Sequence, residues 1–137
     1  MSAFIYEQST GRLYYGLSMM GTGYAGAPSG KNNPAMQNVP NVGPLPEGWY
    51  MIEPPTNSTH CGQEAFPLRP DAANQMFGRS GFFLHGDDIA HPGAGSDGCI
   101  VQSRPVRDAV KTIVAAGNNR LQVVAFLPPV TDTELGL

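Results

Sequence analysis

The chain opens with two short apolar runs, Phe4-Ile5-Tyr6 and Leu13-Tyr14-Tyr15, on either side of Ser9-Thr10-Gly11. Aromatic and β-branched residues suit strands, and glycine supplies the positive φ of a tight turn, so this segment predicts a β-hairpin. From Leu17 to Pro46, glycines, prolines and asparagines oppose regular structure. They predict a long irregular loop, of a kind that either walls a functional site or runs over the surface. "EGWYMIEP" resumes strand character and stops at Pro54-Pro55. Residues 56–80 predict mostly loop, with a short helical turn at "PDAANQMFG". "GFFLHG" and "GCIVQ" then read as two short, wholly apolar, buried strands.

One helix follows. Ser103 suits the N-cap, and Pro105 falls in the first turn, where its missing N–H costs nothing. Val106, Ala109, Val110, Ile113 and Val114 recur at spacings of three and four and make one apolar stripe, which Gly117 ends. "RLQVVAFLPP" predicts a last strand, and residues 128–137 a tail. The expectation is one mostly-β domain with one packed helix, its core spanning about residues 3–127.

Composition narrows the picture. A chain of 137 residues fits a single domain with its own core, and 17 Gly and 13 Pro suit short strands joined by loops. A net charge of −3 gives no electrostatic reason to expect nucleic acid or an anionic membrane as partner. No basic segment followed by an apolar run marks a signal peptide, and nothing approaches the roughly 18 apolar residues of a membrane span. Synthesis in the cytoplasm is expected, with export only by a specialised machine. The 2 cysteines, Cys61 and Cys99, form neither a disulfide scaffold nor a closely spaced zinc pair, and a bridge between them is left open.

The candidate chemistry lies in "FFLHGDDIAHPGAGSDGCIVQ", residues 82–102. A thiol is a useful nucleophile only as thiolate, so it needs a base, a cation or a helix N-terminus beside it. If the two apolar strands pair, His85 and Cys99 meet at adjacent strand ends and the loop between them walls a cleft. Gly98 permits an unusual φ next to Cys99, and amides around both suggest an oxyanion hole. Asp87, Asp88 and His91 with His85 raise a metal site, but their spacing matches no standard zinc pattern. Asp-Asp in a turn usually bonds its own backbone. His60-Cys61 reads as ordinary loop chemistry. Arg79 reads first as a surface cation, and otherwise as a ligand for a substrate carboxylate.

His85-Gly86 at a strand end, then Ser96-Asp97-Gly98-Cys99-Ile100-Val101, resembles the signature of L,D-transpeptidases of the YkuD type. The wider stretch, the opening hairpin and "GPLPEGWY" at 43–50 are similar to a compact subgroup used as type VI secretion effectors against rival bacteria. The resemblance covers most of residues 3–127. It implies a β-sandwich with the site at its edge, Cys99 as nucleophile, His85 as base and the Gly86 carbonyl orienting the imidazole. Ser96 and Gly98 would shape the nucleophile loop. Many members carry histidine where this chain has Asp97, and arginine or asparagine where it has Val101. Asp97 cannot donate as an imidazole does.

The implied substrate is the peptidoglycan stem peptide. Cys99 would attack the carbonyl of the third residue, a diamino acid joined to terminal D-alanine. The thioester would pass to an amine (transpeptidation or D-amino acid exchange) or to water (L,D-carboxypeptidase activity). No cofactor or metal is required. The resemblance further implies secretion machinery, action in a target cell's periplasm, and a cognate immunity protein. Other readings are a phage-encoded lysis or wall-remodelling factor, a cysteine endopeptidase or amidase on the same polymer, and a non-catalytic wall-binding or toxin-adaptor module.

Overall fold

A computed structural model describes residues 2–58 and 62–127. The expected tail at 128–137, the His60-Cys61 pair and any Cys61 disulfide lie outside the described residues. Ten strands and one α-helix are described: β1 (Phe4–Glu7), β2 (Arg12–Tyr15), β3 (Ser18–Thr22), β4 (Tyr24–Ala25), β5 (Gly48–Ile52), β6 (Thr56–Ser58), β7 (Gly62–Pro70), β8 (Phe83–His85), β9 (Ile100–Val101), α1 (Arg104–Ala115) and β10 (Arg120–Val124). The mostly-β class with one helix is therefore observed.

The opening hairpin forms as its sequence predicts. Phe4 pairs with Tyr15 and Glu7 with Arg12. Gly11 sits at φ 75° in the turn, where its N–H donates to the Glu7 carbonyl at 2.9 Å. A side chain there would also strike the Gly23 carbonyl. Period-two alternation then builds the core. Phe4 pairs with Leu121, which pairs with Tyr50, while Tyr6 pairs with Val123. All five are buried, so one parity of β1, β10 and β5 faces inward.

Hydrogen-bonded neighbours run in the order β3-β2-β1-β10-β5-β7-β8-β9-β4, with β6 beside β7. The two ends of that path, β3 and β4, are separated in the chain only by Gly23. The sheet must therefore curl until its ends come together, and the Gly23 N–H donates to the Gly11 carbonyl at 2.7 Å, carrying the β2–β3 ladder up to that point. Two faces of a sandwich were expected; the strands instead form one sheet, curled into a nearly closed barrel.

Two segments expected to be irregular contain strands. Residues 17–46 hold β3 and β4, and only the remainder is loop, with a 3₁₀ turn at Pro34–Met36. β3 escapes notice because its residues are exposed or half-buried, so no apolar alternation marks it. Residues 56–80 hold β6 and β7. Pro67 and Pro70 argue against a central strand, yet neither breaks a ladder. Pairing with β5 stops at Ile52↔Leu68, so Pro67 falls where β5 has run out, and Pro70 ends its strand. The expected helical turn at 70–78 is a turn, closed by Asn74 N–H on the Asp71 carbonyl at 3.0 Å.

Helix α1 begins after Ser103, whose backbone is extended and whose hydroxyl makes no cap bond. Val106 and Val110 are buried, with Ile113 and Val114 packed on the core's edge. Ala109, expected in the stripe, is exposed. Among the described residues no helix is long and apolar enough to cross a membrane.

Candidate active site

Alternation also bears on the two candidate residues, His85 and Cys99. Strands β8 and β9 are parallel neighbours, with Leu84 opposite Ile100 and His85 opposite Val101. Leu84 and Ile100 are buried in the core cluster. His85 therefore has the opposite parity, and Cys99, one residue before Ile100, shares it. Both residues line a single cleft of about 510 Å³, whose other walls include Gly86, Asp87, Ser96 and Asp97.

The imidazole has a defined polarity. His85 Nδ1 lies 2.6 Å from the Gly86 carbonyl oxygen. A carbonyl only accepts, so Nδ1 is the donor, and in the neutral ring the lone pair falls to Nε2. The residue is 5% exposed, which holds the ring in place while leaving it on the cleft wall. Cys99 is half-buried, and its sulfur accepts the Phe83 N–H at 3.3 Å.

Ser96 is 4% exposed and ties the loop before Cys99 together. Its hydroxyl donates to the Cys99 carbonyl at 2.6 Å and accepts the N–H groups of Gly26 and Gly98, each at 3.0 Å. The Gly98 amide is thus already bonded, which corrects the expectation that it serves an oxyanion hole. What Gly98 supplies is shape. Its φ is 146°, and a methyl there would come within 2.5 Å of the Arg79 guanidinium and 3.1 Å of the Gly43 carbonyl.

Arg79 is not the surface cation expected of it. It is 8% exposed, stacked on the Phe82 ring at 5.1 Å. Nη1 donates to the carbonyls of Gln37 (2.6 Å) and Pro44 (2.8 Å), and Nη2 to those of Gly43 (3.0 Å) and Asp97 (3.2 Å). Burial pulls its pKa down, while attraction to the anionic forms of Tyr50 and Cys99 opposes the fall. The same cation that joins two loops thus also interacts with Cys99. It lines a second cleft of about 300 Å³ that also reaches Asp97 and Cys99, so the sulfur stands where the two clefts meet. The Asp97 side chain is exposed between them.

The loop between the catalytic candidates is pinned by Tyr24, which residue-by-residue reading missed because it lies in a glycine-rich stretch. Its hydroxyl donates to Asp87 and accepts the Gly95 N–H at 2.8 Å. Burial and the neighbouring carboxylate push the Tyr24 pKa up to about 12. Burial opposes the Asp87 charge, but the Tyr24 hydroxyl, the N–H groups of Gly93 and Asp88, and Lys31 outweigh it and hold its pKa below the usual range. Asp88 accepts the N–H groups of Ala90 and His91. Both acids bond their own turn, as Asp-Asp pairs do, and among the described residues no cluster of three or more His, Cys, Asp or Glu is placed to hold a metal ion.

"GPLPEGWY" is bonded to the residue before Cys99. Leu45 N–H donates to the Gly98 carbonyl at 2.9 Å, and buried Gln8 donates Nε2 to the Leu45 carbonyl at 2.8 Å. The Tyr50 hydroxyl closes the segment on the Pro46 carbonyl at 2.6 Å. A search of curated proteins finds no match. A family model described as the Tlde1 domain matches residues 20–125, a span that includes this whole site. The chain belongs to the Tlde1 domain family of type VI secretion effectors, whose activity is directed at the bacterial cell wall.

Proposed function

We propose that this protein is a cysteine-dependent peptidoglycan L,D-transpeptidase or L,D-carboxypeptidase of YkuD-like chemistry, delivered as an antibacterial effector. The observation that carries the reading is the Nδ1–Gly86 carbonyl contact on a histidine that shares one cleft with Cys99. It prepares Nε2 to take a proton from a neighbouring thiol. Family membership supports a cell-wall target, and the shared cleft supports thiol chemistry.

In this mechanism His85 Nε2 removes the Cys99 proton, aided by the Phe83 N–H and the Arg79 charge. The thiolate attacks the carbonyl of the diamino acid in a tetrapeptide stem, displacing electrons onto oxygen. Collapse of that adduct breaks the C–N bond, and the imidazolium returns its proton to the leaving D-alanine amine. The thioester then transfers to an amine or to water. Asp97, exposed where the two clefts meet beside the sulfur, is placed to attract an ammonium group of donor or acceptor. Action in the periplasm of a target cell and protection of siblings by an immunity protein complete the proposal.

Incubating the purified protein with disaccharide tetrapeptide and D-methionine tests it by mass spectrometry. D-alanine exchange or loss is the expected result, abolished by Cys99→Ala with the melting temperature unchanged. Cleavage at another amide would point to an endopeptidase or amidase instead. An unaltered substrate, or killing by periplasmic Cys99→Ala at the wild-type level, would overturn the enzymatic reading.

A further inference from the structure

The base is braced from a side that does not line the thiol cleft. The His85 carbonyl accepts the Gln102 N–H at 3.0 Å, and the Gln102 carbonyl accepts Arg107 Nε at 3.1 Å. Gln102 is itself fixed, being 2% exposed and donating Nε2 to the Gly11 carbonyl at 3.0 Å. Arg107, in the first turns of α1, then reaches Gly86 directly. A methyl added at Gly86 would lie 2.7 Å from one terminal guanidinium nitrogen, 3.0 Å from Cζ and 3.4 Å from the other nitrogen. Contact with all three atoms means that the flat face of the guanidinium covers the glycine. One side chain therefore restrains both residues whose alignment sets the imidazole, through Gln102 to His85 and by contact to Gly86.

We propose that Arg107 is a positioning residue for His85, holding the 85–86 backbone so that the Gly86 carbonyl stays on Nδ1 and Nε2 stays basic. The inference rests on reading His85 as the base for Cys99. Arg107 lines a separate cleft with Tyr24, Ser103 and Arg104, and touches no reacting atom. A planar, permanently charged fork suits this task, since it stacks on a peptide and donates at its edge together. Lysine has no such plane. The charged groups facing Arg107 are Arg104 and Asp108 on α1 and Glu64 on β7. Guanidinium and carboxylate groups keep their charge across the range in which imidazole titrates, so they leave the tautomer readout unchanged.

The test uses the full chain labelled with ¹⁵N-histidine, with the His85 signal assigned by its loss in His85→Ala. Wild-type protein at pH 8 is expected to show His85 protonated at Nδ1. Arg107→Ala and Arg107→Lys should both populate the Nε2–H form and move the pH profile of Cys99 alkylation by iodoacetamide upward, read on the Cys99 peptide. They should also lower kcat on the tetrapeptide about 10- to 100-fold with little change in KM, the range for loss of a supporting partner. Gly86→Ala should do the same from the other side and reports even where Arg107→Ala fails to fold. Folded Arg107 variants that keep the Nδ1–H tautomer and the wild-type alkylation profile would overturn the proposal, as would full rescue by lysine. If His85→Ala leaves alkylation of Cys99 unchanged, the base assignment fails, while the tautomer comparison still decides whether Arg107 holds the ring.

Discussion

The two halves of the curled sheet are held by different means. In one half, β1 pairs along its whole length with β2 and β10, and Phe4, Tyr6, Leu121 and Val123 interlock beneath. In the other, β9 is two residues long and meets β8 and β4 only through Ile100 and Val101. So short a ladder cannot position Cys99 by backbone pairing alone. Polar side chains do it instead: Arg79 bonds four carbonyls, Ser96 bonds three backbone groups, and Tyr24 spans the loop. The first half is stabilised by apolar area, which tolerates small displacements. The second is specified by hydrogen-bond geometry, which does not.

This contrast can be broken from either side. The largest loss of stability is expected for Leu121→Ala, which empties a fully buried site in the ladder half and should cost about 3–4 kcal/mol. Chemical denaturation would measure that loss, yet kcat per folded molecule should stay within about twofold. Proportional loss of activity would mean the halves are not separable in this way.

Arg79→Ala should cost slightly less, about 2–3 kcal/mol, because charge-assisted bonds to buried carbonyls are lost and the freed groups face the cleft. Its activity should nevertheless fall below detection, since Gly43, Pro44 and Asp97 lose their common anchor. Lysine should restore little, being unable to reach four carbonyls from one plane. Near-normal turnover of a folded Arg79→Ala protein would refute the anchor role.

Ser96→Ala follows at about 1–2 kcal/mol, with a kcat deficit of tenfold or more as the Gly98 amide and the Cys99 carbonyl lose their shared partner. Titration of Cys99 with a thiol reagent would check that the sulfur remains accessible in that variant.

The smallest effect belongs to the Tyr24–Asp87 strap, about 1 kcal/mol for Tyr24→Phe. Asp87 is held below the ordinary carboxylate pKa of about 3.9 in the fold. Its contribution is therefore fully present above the unfolded value and disappears as pH falls through the lower, folded one. Hydrogen exchange at Gly93 and Gly95 from pH 6 downward should show wild-type protection fading on acidification, and a flatter dependence in Tyr24→Phe. Equal slopes would show that the strap does not hold the loop.

Sequence reading reached the elements whose apolar pattern is local. The opening hairpin announces itself through Gly11 between two aromatic runs, and α1 through Val106, Val110 and Val114. It failed at β7, where two prolines argue against a strand and only the neighbour's end point shows why they are harmless. It failed at β3 and β4, where alternation is absent because β3 is an edge with half-buried residues. For the site, His85 and Cys99 stood out by their glycine-flanked settings. Tyr24, Gln102 and Arg107 carry no such mark, because each acts through a partner distant in the chain.

What the amino-acid sequence marked by itself is a pair of candidate residues and their local frame: a histidine and a cysteine at the ends of apolar runs, a glycine beside each, and a helix directly after. Tertiary structure alone decided that those runs lie parallel, that the sheet curls until its ends come together at Gly23, and that Arg79 is an internal clamp. The reason is physical. Strand and helix propensities act over a few residues, whereas a buried guanidinium or a sheet seam is stable only once segments dozens of residues apart have packed together.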